Sequence, residues 1–524
     1  MPLEQMAVMG PKGRVFAPLP PVTLEDLVPP DHCYRHLERT LDLSFVRDLV
    51  RDTYTERGRP SIDPVVFFKL QLVLFFDGLR SERQLLRVVA DRISLRWYLG
   101  YDLSEPLPDH SSLTRIRDRY GFDVFRRFFE TIVEQGMSAG LVWGEDLSID
   151  ATKVAANADL DSLRPRFAVE AHLAQLFAAE GDDGHGGEGN GDADGAGEGD
   201  TPTMLPVDLS EPARVDLAVQ AATRHDWIGQ AGRPDRAQRS GPYRRTADFR
   251  VSTTDPDATP MPQGDGRTRL GYQDHYVVDG GRARIILTAL VTPAEVQENQ
   301  PALDLLWWTR FRWKLRPRQI AADTKYGTVA NIVAIEDQGI RAYVPFSEVG
   351  QRPGLFGEQD FVYDAAADIY RCPSNEALRF LSQCQTTRRR IYAAPAARCR
   401  TCPLKAQCTT STRGRRVSRS LDMSYLDRVR GYHATEPYAR AMRKRQVWVA
   451  TQRVPGFAEA KDWHGLRRFR LRGLEKVNGE ALLVAAGQNL KRLLSRWGWE
   501  RRPFPNGAAG IVVPPLLPIL TLTP

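Results

Sequence analysis

The 524-residue chain is 42% hydrophobic, long enough to bury a sizeable core and to form two to four domains, which excludes a peptide-sized binding module. Its 72 Lys and Arg against 65 Asp and Glu give a formal charge of +7, but eight of the acids sit in residues 180–200 (EGDDGHGGEGNGDADGAGEGD), so the remainder stands at +15 and favours a polyanionic partner. No apolar run reaches the roughly 18–20 residues that span a bilayer, and MPLEQMAVMGPKGRVF lacks the blocks of a secretory signal, so the reading is a cytoplasmic protein.

Residues 1–34, rich in Pro and Val, read as a flexible arm. In SIDPVVFFKLQLVLFFDGL, Asp63 is placed to cap a helix with Pro64 at its first position, and the apolar residues filling its turns predict burial on most sides. SERQLLRVVADRISLRWYLG repeats the pattern: Ser81 caps, Leu85, Val88, Val89 and Ile93 form a stripe, and Gly100 stops the helix. PDHSSLTRIRDRYG (108–121) begins a third helix whose outer face is expected to carry Arg115, Arg117 and Arg119. Residues 35–135 therefore read as an all-α domain with a basic surface. Two readings stand: a DNA reader built somewhat like a helix-turn-helix, or a bundle with a solvated face.

After Gly144 the hydrophobic period changes from helix to strand. In EDLSID, Leu147 and Ile149 point one way and Ser148 and Asp150 the other, with Asp150 at the strand's mouth. Residues 160–245 read as an insertion around the acidic Gly-rich tract, which is too polar to order itself. HYVVD and RARIILTALV flank Gly280 and Gly281, a hairpin signal. A helix over roughly 298–313 leads to a short strand ending at Asp323, and IRAYVPF (340–346) supplies another strand. This order predicts an α/β fold, a mixed sheet covered by helices, over residues 140–346.

Asp150 and Asp323 share a setting: each follows a short apolar strand and precedes a small or polar residue and a lysine (DATK, DTK). If the strands are neighbours, the carboxylates converge, and two carboxylates held together repel unless a cation lies between them. Hard oxygen donors suit Mg²⁺ or Mn²⁺, and a pair of such ions activates a water or a 3′ hydroxyl for in-line attack on phosphate. Taken singly, each aspartate reads first as a strand-end or turn residue; the matched pair is what turns the reading toward chemistry.

The segments RPSIDPVVFFKLQLVLFFDGLRSERQLLRVVADRISLRWYLG, PDHSSLTRIRDRYG, LSIDATKVAANA, AADTKYGT, the cysteine cluster and FAEAKDWHGLRRFRLRGLEKVNGEALLVAAGQNLKRLL resemble those of bacterial insertion-sequence transposases of the DDE type. The resemblance covers most of residues 35–495. It implies a ribonuclease H-like catalytic core, two divalent ions, and transfer of DNA ends, with Asp150 and Asp323 matching the first and second catalytic aspartates. Family members usually carry a glutamate seven residues before the lysine that Lys461 matches; Val454 stands there instead. Glu459 is the nearest substitute, but five residues along a helix turn it by roughly 140°. Its other reading is a solvated helix acid near Lys461.

Cys372, Cys399, Cys402 and Cys408 form a set that Zn²⁺ or an iron-sulfur cluster accepts, with free buried thiols as the alternative; Cys384 and Cys33 read as spectators. RRRI (388–391) and RGRRVSR (413–419) make residues 347–430 a basic, Cys-rich insertion. Over 431–500, the helices expected to complete the catalytic core, RAMRKRQVW, FAEAK, HGLRRFRLRG and KRLLSRWGWERR supply Arg443, Lys444, Arg445, Lys461, Arg467 and Arg468 as DNA contacts, with Trp448, Trp463, Phe469 and Trp497 as stacking surfaces. Residues 501–524 form a Pro-rich tail. The expected protein is a nucleoid-associated transposase acting as a homo-oligomer on terminal inverted repeats and target DNA. A metal-dependent nuclease without strand transfer and a degenerate transposase that only occupies DNA are the alternatives.

Overall fold

The computed structural model describes residues 22–54, 61–165, 250–264, 266–345, 354–450 and 456–496. The acidic tract, Val454, Trp497 and the Pro-rich tail lie outside them, as does the side chain of Trp448. The chain divides into two compact units, residues 1–118 with 494–524, and residues 119–493.

The first unit is helical: α1 (Leu24–Leu27), α2 (Cys33–Thr40), α3 (Phe45–Val50), α4 (Pro64–Phe76), α5 (Glu82–Asp91) and α6 (Ile93–Leu99). Helices thus begin at Leu24, inside the stretch expected as an arm. Asp63 accepts a hydrogen bond from Val65 N at 2.9 Å, which satisfies one of the free amides at the start of α4. Eight of its thirteen residues are buried, Gln71 among them. Ser81 caps α5 through Gln84 N, and Gly100 ends α6 in the left-handed conformation at φ 79°.

A long helix, α7 (His110–Ser138), contains the unit boundary and is interrupted at Gly121, whose φ of 63° breaks the helical path. One expectation fails here. Arg115 and Arg119 are exposed, but Arg117 is 6% exposed and ion-paired with Glu82. Arg117 follows Leu113 by four residues and so falls on the buried stripe.

The second unit is built on a six-stranded mixed sheet: β1 (Asp146–Ala155), β4 (Thr259–Pro262), β5 (Thr268–Asp279), β6 (Ile286–Pro293), β7 (Gln319–Ala321) and β8 (Arg341–Tyr343). The order is β4-β5-β1-β7-β8, with β6 also paired to β5. Two short strands, β2 (Leu163–Pro165) and β3 (Arg250–Ser252), pair separately. From Leu270 to Asp279 every residue of β5 is buried, as expected for a central strand covered on both faces. The β5–β6 hairpin exists, but six residues, 280–285, connect its strands, with Arg284 at φ 54°. The Gly280–Gly281 pair is only the start of that loop.

Helix α8 (Ala302–Trp313) covers β6, with Trp313 Nε1 donating to Leu287 O at 2.9 Å, and α9 (Val329–Asp337) joins β7 to β8. The Cys-rich region is largely a five-stranded antiparallel sheet in the order β13-β12-β11-β10-β9: β9 (Val362–Asp364), β10 (Ile369–Arg371), β11 (Ala377–Cys384), β12 (Arg389–Ala393) and β13 (Arg416–Ser420). Its small core is Phe361, Tyr370, Leu378, Tyr392, Ala394 and Val417. Beyond its short helices α10 (Ala396–Arg400) and α11 (Lys405–Cys408) follow α12 (Met423–His433), α13 (Glu436–Ala450), α14 (Phe457–Trp463) and α15 (Leu474–Arg496).

Candidate active site

Asp150 pairs with Tyr276 of β5 on one side of β1. On the other side β1 meets β7 in parallel, from Asp146 opposite Gln319 to Ser148 opposite Ala321. Asp150 and Asp323 each lie two residues beyond that last pair, so the register carries both to the same end of the junction. Asp150 is not at the mouth of its strand. β1 continues to Ala155 because β5 runs alongside it as far as Gly271; it is β7 that stops.

Each carboxylate has one oxygen fixed locally. Asp150 Oδ1 accepts from Ala151 N at 2.9 Å, and Asp323 Oδ1 accepts from Lys325 N at 2.9 Å, capping the turn Thr324–Tyr326. Their other oxygens converge on one cation: Arg445 Nη2 lies 3.1 Å from Asp150 Oδ2 and 3.7 Å from Asp323 Oδ2. Arg445 is on α13, in phase with buried Ala441 one turn earlier, and is itself 9% exposed. Burial pushes the Asp150 carboxyl up to about 6; Arg445 opposes the rise and Asp323 adds to it.

The pair opens into a cavity of about 630 Å³ that Glu298, Lys325, Arg445 and Lys461 also line. Glu298, in the connection between β6 and α8, is 8% exposed and takes an ion pair from Lys325 Nζ at 2.5 Å. Lys461 is half-buried, and burial, then the charge of Arg467, pulls its ammonium below the usual range.

Glu459 is not in this set. It is buried on α14 and turned to α15, where Gln488 Nε2 donates at 3.0 Å and Lys491 forms an ion pair. Burial alone raises its pKa, but the His464 hydrogen bond and the charges of Lys491 and Arg492 outweigh burial and hold it well below the usual range. It is therefore neither beside Asp150 and Asp323 nor a solvated acid.

The cations expected on DNA divide. Arg443, Lys444, Arg467 and Arg468 are exposed, while Arg445 is turned inward onto the aspartates. Arg443 pairs with Glu436 at 2.7 Å, and Lys444 stands 3.5 Å from Asp146 and over the Trp143 ring. Trp463 is exposed, but Phe469 is 1% exposed and packs edge-on against Tyr272, so it offers no surface to a base. Cys372, Cys399 and Cys408 pack on the core of the second sheet, and Ser374 Oγ lies 3.2 Å from Cys402 Sγ. Burial raises the pKa of Cys408, with Cys399, Cys372 and Cys402 adding to it despite Arg415, so the four thiols share a neighbourhood. All cysteines are free, and among the described residues no three acids, thiols or imidazoles stand as a ready ligand set.

Two family models match the chain. Residues 22–119 match the family described as Transposase domain (DUF772), and residues 371–494 match the family described as Transposase DDE domain. The chain belongs to the insertion-sequence DDE transposases. The first match covers the helices of the first unit; the second runs from the Cys-rich sheet through α15 and contains Arg445 and Glu459. Asp150 and Asp323 fall outside both matched segments of this transposase. No curated protein and no solved structure matches the chain. Among the described residues no helix is long and apolar enough to cross a membrane.

Sequence reading missed Glu298 and Lys325 at the cavity and the inward turn of Arg445. The last had a signal in the spacing of Ala441 and Arg445. Glu298 had none, because it lies in a connection without a period.

Proposed function

We propose that this transposase has a ribonuclease H-like core, binds the terminal inverted repeats of its element as a homo-oligomer, and cuts and rejoins phosphodiester bonds with Mg²⁺ or Mn²⁺ at Asp150 and Asp323. The observation that carries the reading is the convergence of both carboxylates on one guanidinium nitrogen. The buried Asp150 and the part-exposed Asp323, which share one positive charge and offer hard oxygen donors at an open cavity, fit a divalent ion in charge and donor type. Such ions, when bound, supply an activated water or 3′ hydroxyl and stabilise the leaving oxygen.

The chain's own residues do the rest. Asp150 and Asp323 would hold such an ion as carboxylates, in the place that the Arg445 guanidinium takes here. The exposed Arg467, with Lys461 at the cavity lining, neutralises DNA phosphates and sets the strand against the carboxylates. Arg115, Arg119 and Arg443 add exposed charge for the same partner. A second reading, occupation of DNA without cutting, is favoured by the engagement of Glu459 with Lys491 and Gln488.

Incubation of the full chain with labelled fragments bearing the element's ends and Mn²⁺ separates these readings. The proposal expects joined products that are lost in Asp150→Ala and Asp323→Ala while the fragments stay bound. Cleaved but unjoined ends mark a nuclease. Binding with no divalent-dependent cleavage marks the DNA-occupying reading.

A further inference from the structure

The geometry points to Glu298 as the third carboxylate of this site, supplied from the β6–α8 connection rather than from the C-terminal helices. The assignment rests on the Asp150–Asp323 reading and goes beyond it, since Glu298 falls in neither matched family segment. Glu298 lines the same cavity as Asp150 and Asp323. Tyr326, which closes the turn that Asp323 caps, is 3% exposed, and its phenol oxygen lacks a hydrogen-bond partner. Burial, then the charges of Asp150, Glu298 and Asp323, raise the pKa of that phenol, and Arg445 opposes them.

The connection that carries Glu298 is built to hold position. Gln273 Nε2, from β5, donates to Ala294 O at 3.0 Å and to Val296 O at 2.8 Å. Glu295 N donates to Thr259 Oγ1 at 2.9 Å, and Asn331 Nδ2, from α9, donates to Asn299 O at 3.3 Å. Three elements thus fix the backbone on both sides of one buried acid, the kind of support that a ligating side chain needs. A side-chain cation holds each carboxylate: Arg445 the two aspartates, Lys325 the glutamate. Lys325 is largely exposed and Glu298 is not, so the ammonium is the partner free to leave. Asp462, another acid at the cavity, is engaged by Arg467.

Calorimetric titration of the full chain with Mn²⁺ alone tests this without any DNA reaction, with circular dichroism confirming the fold of each variant. Removing groups that merely orient ligands already costs roughly 10–100-fold in metal affinity, so Glu298→Gln is expected to weaken Mn²⁺ binding by at least about tenfold. Lys325→Gln, which frees the carboxylate from its competitor and removes a positive charge from the cavity, is expected to strengthen it. Glu459→Gln is expected to leave it unchanged. If Asp150→Asn loses Mn²⁺ while Glu298→Gln binds like the parent, the assignment of Glu298 is wrong and the aspartate pair stands. If neither variant changes the affinity, both are wrong. Should Glu298→Gln fail to fold, Lys325→Gln decides, and an unchanged or weakened affinity overturns the assignment.

Discussion

Arg445 Nη2 lies 3.1 Å from Asp150 Oδ2, and both side chains are at least nine-tenths buried. An arginine is in effect never deprotonated, so this guanidinium is a fixed positive charge placed where the acids need one. Removing one partner of a buried pair leaves the other uncompensated and costs about 3–5 kcal/mol. Arg445→Met is therefore expected to melt well below the parent in chelator, and Mn²⁺ is expected to restore much of the loss. Melting curves with and without the ion check this; a variant as stable as the parent in chelator means the aspartates do not depend on that charge.

Glu459 belongs to a different network. It accepts from Gln488 and pairs with Lys491, and Arg492, buried on α15, has its pKa pulled down to about 10 by that burial. Glu459→Ala is expected to destabilise by about 3–5 kcal/mol, since it leaves the buried Arg492 and the part-buried Lys491 without their carboxylate. Denaturant unfolding measures the cost. A loss of stability below about 1 kcal/mol, the range of surface pairs, contradicts a buried role.

Strand β6 is protected by two asparagines of α15. Asn478 accepts from Val291 N at 2.7 Å and donates to Val291 O at 3.0 Å; Asn489 does the same for Ile286 at 2.9 and 2.8 Å. Each amide imitates a neighbouring strand and satisfies an edge that is otherwise unpaired. Asn478→Ala and Asn489→Ala are each expected to cost about 1–3 kcal/mol, the penalty for a buried backbone group left without a partner. Hydrogen exchange at Val291 and Ile286 reports it directly: accelerated exchange is expected, and unchanged protection shows the amides find other partners.

Asp257 accepts from Leu474 N at 2.6 Å at the start of α15, and burial pushes its carboxyl up to about 7, the Leu474 bond opposing and Asp255 adding. The folded chain therefore holds this proton more tightly than the unfolded chain, whose carboxyl titrates near 3.8. Its contribution is complete below pH ~3.8 and is lost as pH rises toward ~7. Asp257→Asn, which carries no charge at any pH, is expected to flatten that part of the stability profile. Melting temperatures across pH 4–8 check it, and a parallel decline in parent and variant assigns the pH dependence to other groups.

Much of this is legible in the sequence. The matched DATK and DTK settings pointed to two converging carboxylates because a strand's apolar period and its end are local signals. The caps at Asp63 and Ser81 and the stop at Gly100 are local in the same way. A run of arginines hides helical phase, so the sequence places Arg117 and Arg445 outward, although Leu113 and Ala441, each one turn earlier, carry the phase. The five-stranded Cys-rich sheet was missed because basic residues and cysteines masked its alternation. Glu298 was invisible because its place is set by tertiary bonds from Gln273, Thr259 and Asn331, none of them its neighbours in sequence.

The central claim is that Asp150 and Asp323 grip one divalent centre together. The direct test is a cycle of Mn²⁺ affinities for the parent, Asp150→Asn, Asp323→Asn and the double variant. Joint ligation predicts that either single change removes most of the binding and that the double variant is hardly worse. Two independent, additive losses, or singles that bind like the parent, contradict it.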